Sequence, residues 1–284
     1  ISNSSPAASS HVQGSTDIVL NRFDFAVTSS NATLTGITVT TAGTYISADV
    51  LNLKVRYSTD ATLDGGDATL STFTTPGVAG SKTFPSFTSQ VITAGTTGYI
   101  FITADISSSA TSGNTISLAS TAFSNLTFSL GNKSGTNPVA AGNTRTFIKA
   151  EPTNYPTSFA CGTTTSSTIP LTWTDASAGV LPDGYLIQWS NTSYASITPP
   201  SDGTPVADLA NATLGAKNIA QGVGAYTIPT LTSSTTYFMR IWSYTNSGAN
   251  INFKLVAEPQ TSCATTTAPV TIWSNTITGT SPGL

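Results

Sequence analysis

Residues 231–243 read Leu231-Thr-Ser-Ser-Thr-Thr-Tyr237-Phe238-Met239-Arg240-Ile241-Trp242-Ser243. Successive side chains of a strand point to opposite faces of its sheet, so Tyr237, Met239, Ile241 and Ser243 form one inward row. Leu231 stands six residues before Tyr237. A tyrosine in that position can hydrogen-bond back to the chain and anchor the turn between two sheets, the tyrosine-corner device. This stretch predicts a two-sheet sandwich.

Two further runs upstream repeat the alternation. Ile169, Leu171 and Trp173 fall on one face of a strand, and Tyr185, Ile187 and Trp189 on one face of another. Together with Leu231, Thr235 and Tyr237, which follow the pattern L-x-P-x-T-x-Y with Ser233 in place of proline, these residues resemble a fibronectin type III module over residues 152–266. Asp183-Gly-Tyr-Leu-Ile, Ser201-Asp-Gly-Thr-Pro205 and Tyr244-Thr-Asn-Ser-Gly248 are similar to the versions found in large secreted proteins of Bacteroidota. That resemblance implies a cell-surface or secreted parent, often a type IX secretion cargo, with such modules in tandem.

Residues 1–149 show the same all-β rhythm, short alternating runs separated by Gly, Asn, Asp, Ser and Pro. In residues 50–58, Leu51, Leu53, Val55 and Tyr57 alternate with Asn52, Lys54, Arg56 and Ser58, which predicts one apolar and one wet face. Leu34 and Ile37 fall on opposite parities, so Gly36 between them is read as a bulge. Residues 99–106 are apolar on both faces and read as a central strand. With strands at 17–27, 115–118, 126–130 and 144–149, the expectation is an Ig-like sandwich of eight or nine strands. Thr-Ala-Gly-Thr-Tyr45 and Tyr57-Ser-Thr-Asp60 are similar to a module that accompanies the fibronectin-like one in such proteins.

The expected organisation is therefore all-β with two tandem sandwiches: residues 1–149, a Pro-containing linker at 150–156, a fibronectin type III-like domain at 157–267, and residues 268–284. The last segment reads as the opening strand of a next module, or as a docking strand that completes a neighbour by β-augmentation. The chain begins at Ile1 with no signal peptide, and both ends read as cuts in something longer.

Composition narrows the function classes. Charged residues make up 8% of the chain, against about 25% in ordinary soluble proteins. Close to a fifth of the 284 residues are threonine, which suits pleated strands and keeps an outer face wet without charge. The 10 basic residues form no cluster that could neutralise a phosphate backbone, so nucleic acid is not an expected partner. No apolar run approaches the roughly 20 residues of a membrane span.

Catalytic chemistry finds few residues to use. The only histidine, His11, sits in a Ser-rich N-terminal segment read as an edge strand or arm. Glu151 falls in the linker and Glu258 near the last strand, and most aspartates fall at predicted turns, where such side chains bond their own backbone. No enzyme activity is expected. Cys161 and Cys263 flank the second domain, as first and last strands joined by a disulfide would; two separately buried thiols are the alternative.

Three features stand out as candidate sites. Asp60, Asp64 and Asp67, with two glycines between Asp64 and Asp67, offer hard oxygen ligands for Ca²⁺, although the spacing is not that of an EF-hand and a polar hairpin loop after Ser58 is the plainer reading. Phe238, Trp242 and Tyr244 lie on the face opposite the inward row, where they would contact a polysaccharide or protein, or pack on a neighbouring module. Six Asn-x-Ser/Thr sequons, at Asn3, Asn31, Asn125, Asn132, Asn191 and Asn211, mark exposed loops. The expected function is a non-catalytic structural or adhesive segment of a long extracellular surface protein or fibre. Its partners would be neighbouring modules or identical subunits, and no cofactor is required. The alternative is a carbohydrate-binding or accessory region of a secreted hydrolase or nuclease.

Overall fold

The computed structural model describes residues 1–129 and 132–270. The expected strand at 270–277 therefore lies almost wholly outside the described residues, as does Leu130 at the end of an expected first-domain strand. The chain divides into two compact units, Ile1–Ala150 and Glu151–Leu284. Each is a β-sandwich, and the chain as a whole is all-β with two such domains in tandem.

In the first unit the strands are β1 (Ser2–Ser4), β2 (Ser9–Val12), β3 (Ile18–Ala26), β4 (Ala32–Ala42), β5 (Val50–Ser58), β6 (Ala68–Thr74), β7 (Gly80–Thr83), β8 (Gln90–Ile92), β9 (Thr97–Ile106), β10 (Thr115–Leu118), β11 (Leu126–Phe128) and β12 (Arg145–Ile148). One sheet has the order β1-β3-β9-β5-β6; the other runs β11-β4-β10-β12-β2, with β7 and β8 also on β4. There are more segments than the eight or nine expected, because the N-terminal arm forms both β1 and β2 and the stretch between β5 and β9 adds β6, β7 and β8. Pro6 ends β1, and the chain crosses to the opposite sheet, where β2 lies parallel to β12.

Local chemistry explains the register. Thr127 pairs with Gly36 and Phe128 with Leu34, so the ladder skips Thr35. That bulge turns Leu34 and Ile37 to the same buried face despite their opposite parity. A second bulge between Val50 and Asn52 corrects the expectation for β5. It turns Val50 into the core and leaves Leu51 outside, 49% exposed. The two sheets enclose Phe23, Phe25, Leu53, Val55, Ile100 and Ile102 against Leu34, Ile37, Val39, Ile116, Leu118 and Phe147.

The face of β5 expected to be wet carries an ionic network instead. Lys54 bonds Asp17 (3.2 Å) and Asp105 (2.8 Å), and Arg56 bonds Asp17 at 2.9 Å. Thr103 on β9 also donates to Asp17 at 3.1 Å, which keeps this outer row of the central strand satisfied although fully buried.

In the second unit the strands are β13 (Thr157–Cys161), β14 (Ile169–Thr174), β15 (Gly184–Ser190), β16 (Leu214–Ala220), β17 (Ala225–Ile228), β18 (Thr236–Thr245), β19 (Asn252–Phe253) and β20 (Gln260–Ala264). A three-stranded sheet, β13-β14-β17, faces a sheet in which β16-β15-β18 continue to β19 and β20 on the same edge of β18. Three strands face five, of which β19 and β20 share one edge of β18 end to end, and the first and last strands lie in different sheets, as in a fibronectin type III-like sandwich. All the residues expected inside are there: Ile169, Leu171 and Trp173 meet Tyr185, Ile187, Trp189, Tyr237, Met239 and Ile241. The tyrosine corner is present, with the Thr232 backbone N–H donating to the Tyr237 hydroxyl at 3.0 Å.

Residues 151–156 are held on this unit rather than standing free. Ser243 donates to the Asn154 carbonyl at 3.0 Å, the Tyr155 hydroxyl donates to the Lys254 carbonyl, and Thr153 N–H donates to Val180 O at 3.0 Å.

Candidate functional site

The aromatic row on β18 is built differently from the expectation. Residues 191–213, with a 3₁₀ turn at Tyr194–Ser196, fold back over the outer face of the β16-β15-β18 sheet. Ile197 is driven down onto that face, and with Leu186, Ala216, Ile251 and Phe253 it makes a second small core around Trp242, which is 0% exposed. Tyr244 packs at its edge, 5.7 Å from the Phe253 ring centroid. Phe238 is half-buried against Tyr194, with centroids 5.0 Å apart, and the Arg240 guanidinium lies 5.7 Å from the same Tyr194 ring while pairing with Glu258 at 3.1 Å. The row is therefore no open platform for a sugar; the chain itself covers it. Sequence missed this because a long polar-looking loop hides its few apolar anchors, Ile197 and Val206.

The aspartate loop follows β5 and folds back onto the outer face of its sheet. Each carboxylate is spent on the loop's own backbone: Asp60 accepts from Thr62 N–H (2.8 Å), Asp64 from Gly66 N–H (2.7 Å) and Asp67 from Asp64 N–H (2.7 Å). Two guanidiniums dock the loop from below. Arg22 donates to Ala61 O at 2.8 Å, and Arg56 to Asp64 O and Asp67 O at 3.3 and 3.0 Å. One oxygen of each carboxylate thus accepts a backbone N–H, and the loop's carbonyl oxygens at Ala61, Asp64 and Asp67 already serve guanidiniums of the chain. Among the described residues no three His, Cys, Asp or Glu side chains are placed to hold a metal.

His11 stands on β2, an edge strand, with a ring nitrogen 2.9 Å from Ser9 Oγ. Burial, then the nearby Arg145 charge, push its pKa below the usual histidine value, which favours the neutral ring. A catalytic triad orients its histidine through a carboxylate. Asp17, which lines a shallow cleft together with His11, is instead committed to Lys54 and Arg56. Arg145 itself is buried and lies on β12. It donates to Val19 O (2.9 Å), Pro6 O (3.0 Å), Ala7 O and Ser9 Oγ.

A cleft of about 420 Å³ opens at one end of the first unit, with Phe25, Val27 and Phe128 below and the hydroxyls of Thr28, Ser29 and Ser30 on its rim. Among the described residues lining it there is no carboxylate or histidine. Among the described residues no helix is long and apolar enough to cross a membrane.

Cys161 on β13 and Cys263 on β20 are joined as a disulfide, with a Cα–Cα distance of 6.6 Å. The bond links the two sheets at the edge where the unit's first and last strands meet.

No family model matches the chain, and no curated protein matches it. Among solved structures, a computationally redesigned β-sandwich protein is 15% identical over 41% of this chain and 94% of its own, with a TM-score of 0.28. The fibronectin type III domain of human collagen XX is 21% identical over 39% of this chain and 94% of its own, at a TM-score of 0.25. The FN1–FN3 domains of chicken contactin are 9% identical, covering 91% of this chain and 69% of theirs, at 0.31. The fibronectin type III-like assignment of the second unit rests on its strand order and tyrosine corner, not on likenesses at these scores.

Proposed function

We propose that this chain is a non-catalytic structural segment of an extracellular surface protein or fibre, two rigid sandwiches in series that hold other parts of the parent away from the cell. The observation that carries this reading is the Cys161–Cys263 bond. Such bonds persist in secreted and surface proteins and are rare where thiols are kept reduced. Two further features support it. The acidic loop, the aromatic row and the buried Arg145 each spend their chemistry on the fold itself. The low charge and threonine-rich faces fit a wet surface that needs no polar ligand.

Trapping the thiols of the native protein in its source tests this. Cells are quenched in acid, alkylated, and the peptides weighed before and after reduction. Alkylation of Cys161 and Cys263 only after reduction, together with labelling of the chain by a membrane-impermeant amine reagent on intact cells, is the expected result. Free thiols at both positions, or a chain reached only after lysis, would overturn it.

A further inference from the structure

β17 is an edge strand with an open side. It closes the sheet β13-β14-β17, and β14 flanks it on one side only. Its register sets Ile228 opposite Ile169, Thr227 opposite Pro170, Tyr226 opposite Leu171 and Ala225 opposite Thr172. Hydrogen-bonded and non-bonded pairs alternate along an antiparallel ladder. Trp173 N–H donates to Gly224 O at 3.0 Å, which places Tyr226 and Ile228 in the bonded set. Pro170 has no N–H, and its carbonyl turns the other way to accept from Gly162 N–H at 2.9 Å. The N–H and C=O groups of Ala225 and Thr227 therefore point outward, and no described residue pairs with them.

Other strand edges are guarded. On β16, Leu209 and Ala216 exchange both backbone bonds, at 2.8 and 3.0 Å. On β6, Leu70 O accepts from Thr88 N–H at 2.7 Å. The ladder of β13 is broken by a bulge, with Ser158 at φ 56°. β17 has no such device: Ala225-Tyr-Thr-Ile228 carries no charge, no proline and no bulge.

We infer that β17 pairs with the β17 of a second copy of this chain, antiparallel and about a two-fold axis at Tyr226. Ala225 of one copy then faces Thr227 of the other, and each such pair exchanges both of its bonds. Every outward N–H and C=O of the edge is answered, and the two three-stranded sheets become one. Tyr226 meets its own counterpart in a non-bonded pair, where opposite side chains come closest. Its ring already packs against Trp189, with centroids 6.5 Å apart, so it enters the contact ordered.

A second copy fits this edge better than a free peptide. It presents the same spacing of outward groups on a strand already held by β14, whereas a peptide would lose its conformational freedom for the same few bonds. Nor do like charges oppose the approach. The two charges that act on Tyr226, those of Lys217 and Asp208, are paired with each other. So short an edge makes a weak pair, which copies crowded on one surface would strengthen through their local concentration. The pairing is measured on purified protein and the surface role on cells, so either can fail without the other.

Sedimentation equilibrium and amide hydrogen exchange of the whole chain, at rising protein concentration, test it. Between micromolar and millimolar protein the mass is expected to rise from 29.1 kDa towards twice that value. Exchange at the Ala225 and Thr227 amides should slow in step. A monomer mass throughout would overturn the pairing. So would association that leaves those two amides exchanging as fast as in dilute protein. Thr227→Lys sets a charge at an exposed position of the edge, a common natural guard. It is expected to hold the chain at its monomer mass with far-ultraviolet circular dichroism unchanged, and a folded variant that associates as the parent does would also overturn the pairing. The exchange readout needs no variant, so it decides the matter even if Thr227→Lys fails to fold.

Discussion

The indole of Trp189 lies directly against the α-carbon of Gly215, its strand partner on β16, so a β-carbon at 215 would fall inside the ring's contact distance at Cε2, Cζ2 and Nε1. The ring is pinned further by its Nε1–H, which donates to Asn211 O at 2.8 Å. Neither partner can yield easily. Gly215→Ala is expected to destabilise the second unit by about 1–3 kcal/mol, the usual cost of overpacking. Urea unfolding followed by tryptophan fluorescence measures it, and an unshifted midpoint would mean that the strand pair relaxes without cost.

Trp242→Ala separates packing from ligand contact. Its side chain fills the core between the sheet and residues 191–213, so truncation is expected to cost about 3–5 kcal/mol. The protein should bind no glycan before or after the change. A chain with unaltered melting that loses binding on a glycan array would restore the surface reading.

Calcium offers a direct check of the aspartate loop. With its carboxylates on backbone N–H groups and Arg56 on its carbonyls, the loop is complete without an ion. Millimolar Ca²⁺ is expected to leave the thermal midpoint where it stands in chelator. A binder of native but not unfolded protein would raise it. A calcium-dependent rise that disappears in Asp64→Asn would show that the loop opens to admit the ion.

Acid should weaken the first unit. Burial raises the pKa of Asp49, but bonds from Asn114 Nδ2 and the Ile46 and Thr111 N–H groups outweigh it and leave the value depressed. Burial likewise opposes, and Lys54 with Asn52 and Asp17 N–H overcomes, the shift at Asp105. A carboxylate depressed in the folded state stabilises above its unfolded pKa, about 3.9, and that stability is lost as pH falls through the folded value. The first unit's melting temperature is expected to be level from pH 7 to about pH 5 and to drop below about pH 4. Asp49→Asn should lower it at pH 7 and flatten the acid limb; equal slopes in both proteins would remove Asp49 from the account.

Much of the second unit was legible because its signals are local. Period-two alternation at 169–173, 185–189 and 237–243 places the core whatever the loops do, and the Leu231–Tyr237 spacing specifies its turn. The bulge beside Gly36 was legible for the same reason, since two apolar residues of opposite parity must both be buried. The bulge after Val50 was not, because the expected alternation of β5 is equally regular with Leu51 inside. Only pairing with β9 decides between them.

What the sequence by itself determined, then, is the architecture: strands from alternation, breaks from Gly, Pro and Asn, and the place of both cysteines at the ends of one module. What the tertiary structure alone decided is the state of each candidate site. Whether Trp242 meets water or Ile197, whether Asp64 faces an ion or its own backbone, and whether Arg145 is free or fastens the N-terminal segment all depend on segments far away in sequence. Alternation reports which face of a strand a side chain occupies. It carries no information about what later folds over that face, because a covering loop is held by a few scattered contacts and needs no periodic pattern of its own.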